Sequence, residues 1–265
     1  MRVNGVELHV EPPIGDGEPL VLVHGGWTDH STWATLVLPL AGSFRVVTYD
    51  RRGHSRSERG AGPAPRRQDE DDLAAIVEAL GLGPAHLVGS SYGAAISLAL
   101  AGRRPELVRS VVAHEPPLLG LVEVPAVEAL MRSVQDQLAA GDIEAGTRRF
   151  FEEVVLGPGA WEMIPERLRH AAMGNAQTFI DLREDPHWAA LDVDAVSRFP
   201  GRLVVTRGAA SPPWLEHVTT SVAALLGRRS RMIPGAGHSP HLTHPEAFAA
   251  LIADVIAGDA LSRAA

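Results

Sequence analysis

Residues 85–93 read "AHLVGSSYG", and the position of Ser91 in this stretch decides the fold. A short β-rich run ends in Gly89-Ser90-Ser91-Tyr92-Gly93, which fits the pattern G-x-S-x-G. The Ala- and Leu-rich run "YGAAISLALAGRRP" (92–105) follows with helical character. Small residues on both sides of the central serine let a strand turn sharply into a helix and lift that serine into a strained, exposed position. Five residues with three fixed recur by chance. The strand before and the helix after make Ser91 a candidate nucleophile, while Ser90 reads as a packing serine.

Strand-like and helix-like runs alternate on both sides of this turn. "PLVLVHG" (19–25), "FRVVTYD" (44–50), "VRSVVAHE" (108–115), "GRLVVTRG" (201–208) and "RSRMIPGAGH" (229–238) are short apolar runs of the kind that form buried parallel strands. "STWATLVLPLAG" (31–42), "DEDDLAAIVEALGLG" (69–83), "WLEHVTTSVAALLG" (214–227) and "HPEAFAALIADVIAG" (244–258) read as helices between or after them. Alternation of this kind predicts an α/β fold with a doubly wound, mostly parallel sheet. Residues 117–195 break the rhythm with helical patterns and no convincing strand, so they read as a helical cap. The expected organisation is core 1–116, cap 117–195 and core 196–265. Trp161, Met163, Phe179 and Trp188 in the insert, with Trp27 before it, are candidates for a pocket lining, since ligand sites favour apolar walls at domain interfaces. Packing of the insert onto itself is the plainer role for the four insert residues.

Hydrophobic residues make up 45% and charged residues 21% of the 265, ordinary values for a folded domain. The net charge of −8 gives no electrostatic footprint for nucleic acid or an anionic membrane. With no cysteine, thiolate catalysis and Cys-ligated metals are excluded. No signal peptide and no 18-residue apolar span is visible, so a cytoplasmic protein is expected. The arginines of "DRRGHSRSER" are expected to form a solvated patch offset by "DEDD" (69–72). Oligomeric state cannot be read from the sequence.

Two further motifs supply chemistry. "VLVHGGW" (21–27) ends a strand in His-Gly-Gly, whose backbone N–H groups can face a developing oxyanion. Gly26 and Tyr92, the residue after the candidate nucleophile, are the expected donors, and His24 reads as a structural loop histidine. "PGAGHSPHLTHPEAF" (234–248) places His238 on a flexible loop after a strand, a candidate base. His238, His241 and His244 raise the question of zinc. No carboxylate is interleaved, and Thr243 with Glu246 matches a capping box, so no metal and no other cofactor is expected.

"HGGW", "YDRRGHSRS", "LVGSSYGAAISLALA" and "PGAGHSPHLTHPEAF" together make the chain resemble the α/β-hydrolase superfamily over nearly its whole length. The resemblance implies a Ser–acid–His triad with the acid usually in the loop after the strand "RLVV". That loop here reads "TRGAASPPW" (206–214) and has no carboxylate. Glu115 is the best substitute. It ends the strand after the elbow helix, and neighbouring parallel strands end on the same side. Members of the zearalenone lactone hydrolases and haloalkane dehalogenases take the acid from this place, and "HE-P" is similar to the former. Glu216 is the runner-up; Asp192 and Asp194 read as surface residues. The expected function is hydrolysis of a small carboxylic ester or lactone. A C–C bond hydrolase acting on β-diketone-like substrates, and a weakly catalytic small-molecule receptor on the same fold, stay open.

Overall fold

A computed structural model describes residues 1–263; the last two residues of the second core segment, 264 and 265, lie outside the described residues. The chain opens with a two-stranded ribbon, β1 (Arg2–Val3) and β2 (Val6–Glu7). The main sheet has six parallel strands in the order β4-β3-β5-β6-β7-β8: β3 (Glu18–Val23), β4 (Phe44–Thr48), β5 (Ala85–Ser90), β6 (Val108–His114), β7 (Arg202–Gly208) and β8 (Arg231–Ile233). The helices outside the insert are α1 (Ala34–Ala41), α2 (Arg66–Ala79) and α3 (Tyr92–Arg103) before it, and α10 (Pro213–Leu225), α11 (Pro240–Thr243) and α12 (Pro245–Arg263) after it.

Alternating side chains feed two cores, as the period of two requires. Leu20, Leu22, Val46, Val88 and Val112 pack beneath α1 and α12, with Leu36, Leu40 and Phe248. Val21, Val47, Leu87, Val111 and Val205 pack on the other face against α2, α3 and α10. Apolar residues on both faces explain why these strands lack a polar alternation.

Between β6 and β7 lie α4 (Pro125–Ala139), α5 (Ile143–Arg149), a π-helical turn (Phe150–Val155), α6 (Ala160–Met163), α7 (Glu166–Gly174), α8 (Ala176–Glu184) and α9 (Val193–Ser197). Gly102 of α3 lets α9 approach closely, since a Cβ there would lie 2.9 Å from Val196 Cγ2. Among the described residues, no helix is long and apolar enough to cross a membrane.

The expected solvated arginine patch is corrected in part: Arg56 and Arg59 are exposed, but Arg51 and Arg52 are not. Arg51 and Arg52 are buried, with fork-like ion pairs to Asp69 and Asp72 respectively. Asn4 adds a hydrogen bond to Asp72. Asp69 and Asp72 of "DEDD" thus clamp the loop after β4 onto α2, a role that composition cannot distinguish from surface charge. The capping box is also absent: Thr243 ends α11, its hydroxyl donating to the Ser239 carbonyl, and α12 begins at Pro245.

Candidate active site

The order in which strands are added reverses between β3 and β5, and a crevice opens at the carboxyl ends of the strands there. Val23 pairs with Gly89, which sets the loop after β3 against the loop after β5. The two glycines of the elbow are sterically required. A Cβ on Gly89 would meet the Gly93 carbonyl oxygen at 2.3 Å, and one on Gly93 would meet that of Val23 at 2.1 Å. Ser91 itself sits at φ 54°, ψ −123°, a strained conformation for a non-glycine residue. Its N–H donates to the His114 carbonyl at 2.8 Å, tying the elbow to β6.

That register also places Glu115. Ser90 pairs with His114 and His114 with Thr206, so the next residue of β6 emerges between the elbow and the end of β7. Glu115 also has a positive φ, 47°, and is fully buried. Its Oε1 accepts from the Gly208 N–H at 2.8 Å, and its Oε2 accepts from His238 Nδ1 at 2.7 Å. Burial alone would raise this carboxyl. The hydrogen bond and charge of His238, with His114 and Ser211, outweigh it and hold the pKa at about 2. Ser211 Oγ stands close by, though no hydrogen bond of ordinary geometry engages it. An ionised carboxylate can only accept, so Nδ1 of His238 carries the proton and Nε2 presents a lone pair. Ser91 and His238 line the same cavity without a direct hydrogen bond between them.

Two more histidines flank this pair. His114 is buried with Nδ1 3.0 Å from Thr206 Oγ1, and burial, with the charge of His238, pushes its pKa down to about 4 despite Glu115. His241 lines the cavity with Nε2 2.9 Å from Thr32 Oγ1, and burial takes it down to about 3. Both are neutral at pH 7. His244 bonds to the Thr243 hydroxyl instead, so His238, His241 and His244 engage separate partners rather than a common centre.

His24 holds the loop after β3. Its Nε2 accepts from the Arg51 N–H at 2.9 Å, which leaves Nδ1 to donate to the Gly25 carbonyl at 2.8 Å. Gly25 passes so near the elbow that a Cβ would lie 3.1 Å from Ser91 Cβ. Gly26 and Tyr92 both line the cavity beside Ser91, and among the described residues no protein acceptor takes up either N–H. Asn175, at the end of α7, escaped the sequence reading. Its amide donates to the Trp27 and Thr28 carbonyls and its oxygen accepts from the Ser55 N–H, fastening the insert to this loop.

The cavity is open to solvent and lies between the strand ends and the insert. Trp27, Phe179 and Trp188 line it, with Phe150, Phe151 and Trp214. Trp27 packs against Phe150 and Phe179 at ring-centroid distances of 4.8 and 5.0 Å. Met163 and Trp161 are corrections. Met163 ends a one-turn helix facing solvent and is 85% exposed. Trp161 is buried, but it packs behind Phe151 at 5.8 Å and does not reach the cavity. Glu216 pairs with Arg207 at the surface and Asp192 caps α9, so neither approaches His238.

Comparison with known proteins agrees with this architecture. Residues 20–251 match the model of the "Alpha/beta hydrolase family". The uncharacterized hydrolase YraK of Bacillus subtilis is 39% identical over 124 residues, 46% of this chain and 45% of that protein, so the match spans under half of its length. The pimeloyl-[acyl-carrier protein] methyl ester esterase of Methylococcus capsulatus is 31% identical over 270 residues, 92% of this chain and 96% of that one. A crystal structure of an alpha/beta hydrolase from Sphaerobacter thermophilus superposes with a TM-score of 0.75 at 25% identity, covering 96% and 97% of the two chains. A sheet of this order, an elbow serine after β5 and a family match over most of the length lead to one assignment: the chain belongs to the alpha/beta hydrolase family.

Proposed function

We propose that this hydrolase cleaves a carboxylic ester or lactone through a Ser91–His238–Glu115 triad and an acyl-enzyme. The observation that carries the reading is the buried, ionised Glu115 carboxylate bonded to His238 Nδ1 at 2.7 Å, on the cavity that Ser91 also lines. In this reading His238 Nε2 takes the Ser91 proton as Oγ attacks the carbonyl carbon. The Gly26 and Tyr92 N–H groups meet the oxyanion that forms, in a site where replacing such a donor costs about 10²–10³ in rate. His238 then protonates the leaving alkoxide. A water, deprotonated by the same nitrogen, attacks the acyl-enzyme and releases the acid. Glu115 fixes the tautomer and stabilises the imidazolium throughout, and the insert acts as a cap over the acyl or alcohol group.

Treatment with a fluorophosphonate tests the reading. Mass spectrometry should find one adduct, on Ser91, that Ser91→Ala abolishes. A folded protein that hydrolyses no short ester and leaves Ser91 unlabelled would sink it.

A further inference from the structure

The cavity wall carries no Asp, Glu, Lys or Arg. Among the described residues, its titratable side chains besides His238 are Tyr92, whose phenol burial keeps protonated, and His241, which burial pushes down to about 3. The hydroxyls on the wall are those of Ser90, Ser91, Thr28, Thr32, Ser239 and Tyr92, and most of the other lining side chains are Trp, Phe, Leu, Ile, Val and Met. We infer that the substrate is electrically neutral, an ester or lactone whose remaining groups are aliphatic or aromatic, and that esters bearing a second carboxylate are rejected.

This rests on the ester reading above but concerns binding, so it can fail separately. A carboxylate held against this wall would exchange part of its hydration for apolar side chains, with no Arg or Lys on the wall to receive it. A buried, unpaired carboxylate carries a penalty large enough to lower affinity on the order of 100-fold or more. Two cations stand behind the wall: Arg51, engaged by Asp69 and the Gly25 carbonyl, and Arg183, which stacks 4.9 Å over the Trp188 ring and donates to Glu128 at 2.7 Å. Its Nε and Nη1 are buried without an acceptor, yet the guanidinium does not reach the cavity wall. The Trp188 indole lines the cavity and packs against this guanidinium, whose charge Glu128 already takes up.

The test pairs 4-nitrophenyl heptanoate with 4-nitrophenyl hydrogen adipate, of similar length but with a terminal carboxylate. Binding to Ser91→Ala is read by quenching of the cavity tryptophans Trp27, Trp188 and Trp214, and turnover by the wild-type protein. Tighter binding of the heptanoate by 100-fold or more, with a matching kcat/KM ratio, is the expected result. Equal or tighter binding of the adipate overturns the inference and makes Arg183 its counter-ion. No binding of either ester to folded Ser91→Ala protein overturns it as well. Neutral-selective binding with no turnover and no fluorophosphonate adduct would leave this inference standing and remove the ester reading.

Discussion

Replacing Glu115 with Gln keeps the shape of the side chain and removes one acceptor. The carboxylate uses both oxygens: Oε1 receives the Gly208 N–H and Oε2 receives the His238 Nδ1–H. An amide has only one oxygen for these two donors. If that oxygen stays on Gly208, the amide NH2 faces His238 Nδ1. The imidazole must then carry its proton on Nε2, where it cannot accept from Ser91. If the amide flips, two N–H groups oppose each other at Gly208 in a buried site, an unsatisfied contact worth about 1–3 kcal/mol. The first arrangement is favoured, so the fold should survive with the histidine in the wrong tautomer. The comparable change in a serine-protease triad lowers kcat by about 10⁴, or about 5.5 kcal/mol. Glu115→Gln should therefore lower kcat for a neutral 4-nitrophenyl ester by three to four orders of magnitude (about 10³–10⁴). Circular dichroism should be unchanged, and Ser211→Ala should cost little. Retention of kcat within about tenfold by Glu115→Gln, or a crippling effect of Ser211→Ala, would refute the assignment of the acid.

Gly208→Ala drives a Cβ to 2.4 Å from the Ala236 carbonyl oxygen and displaces the N–H that supports Glu115. It should lower stability by about 1–3 kcal/mol and reduce kcat, read by urea denaturation and ester turnover. The pH dependence of stability has a definite sign. Glu115 falls from 4.5 to about 2 on folding, so its contribution is complete above pH 4.5 and is lost as pH falls through about 2. At about 1.4 kcal/mol per pH unit this is worth about 3 kcal/mol, of which about 2 should be gone by pH 3. Glu115→Gln should flatten that part of the curve; parallel curves would contradict the shift. Arg52→Ala leaves Asp72 buried with only Asn4 as partner. Thermal denaturation should show a loss of about 3–5 kcal/mol with little change in KM.

Much of the site was legible because steric demands write themselves into sequence. The elbow needs glycine at 89 and 93, and strand alternation fixes which neighbours Ser91 has. The missing carboxylate after β7 drew attention to Glu115, and because parallel strands end together that side chain meets His238. The support of that carboxylate was not legible. It comes from the Gly208 backbone N–H, and a backbone donor has no side-chain signature. Arg51 and Arg52 misled because ion pairs buried under a helix have the composition of a solvated surface. The insert was least legible: four aromatic or Met positions looked alike, yet Phe179 and Trp188 reach the cavity while Trp161 and Met163 do not. Helix order and tilt decide that, and neither leaves a period in the sequence.

The position of Glu115 also changes which parts of the chain can evolve independently. Ser91 and Glu115 both precede the insert, and Gly208 is the last residue of β7 bonded to the carboxylate. The stretch from Ala209 to Pro212 carries no acid, yet it leads directly into Trp214 and Leu215 on the cavity wall. Where the acid sits in that loop, lengthening or reshaping it would disturb proton transfer and substrate fit together. With Glu115 as the proposed acid the two would be separated, and changes in this loop would alter the cavity wall without touching the carboxylate.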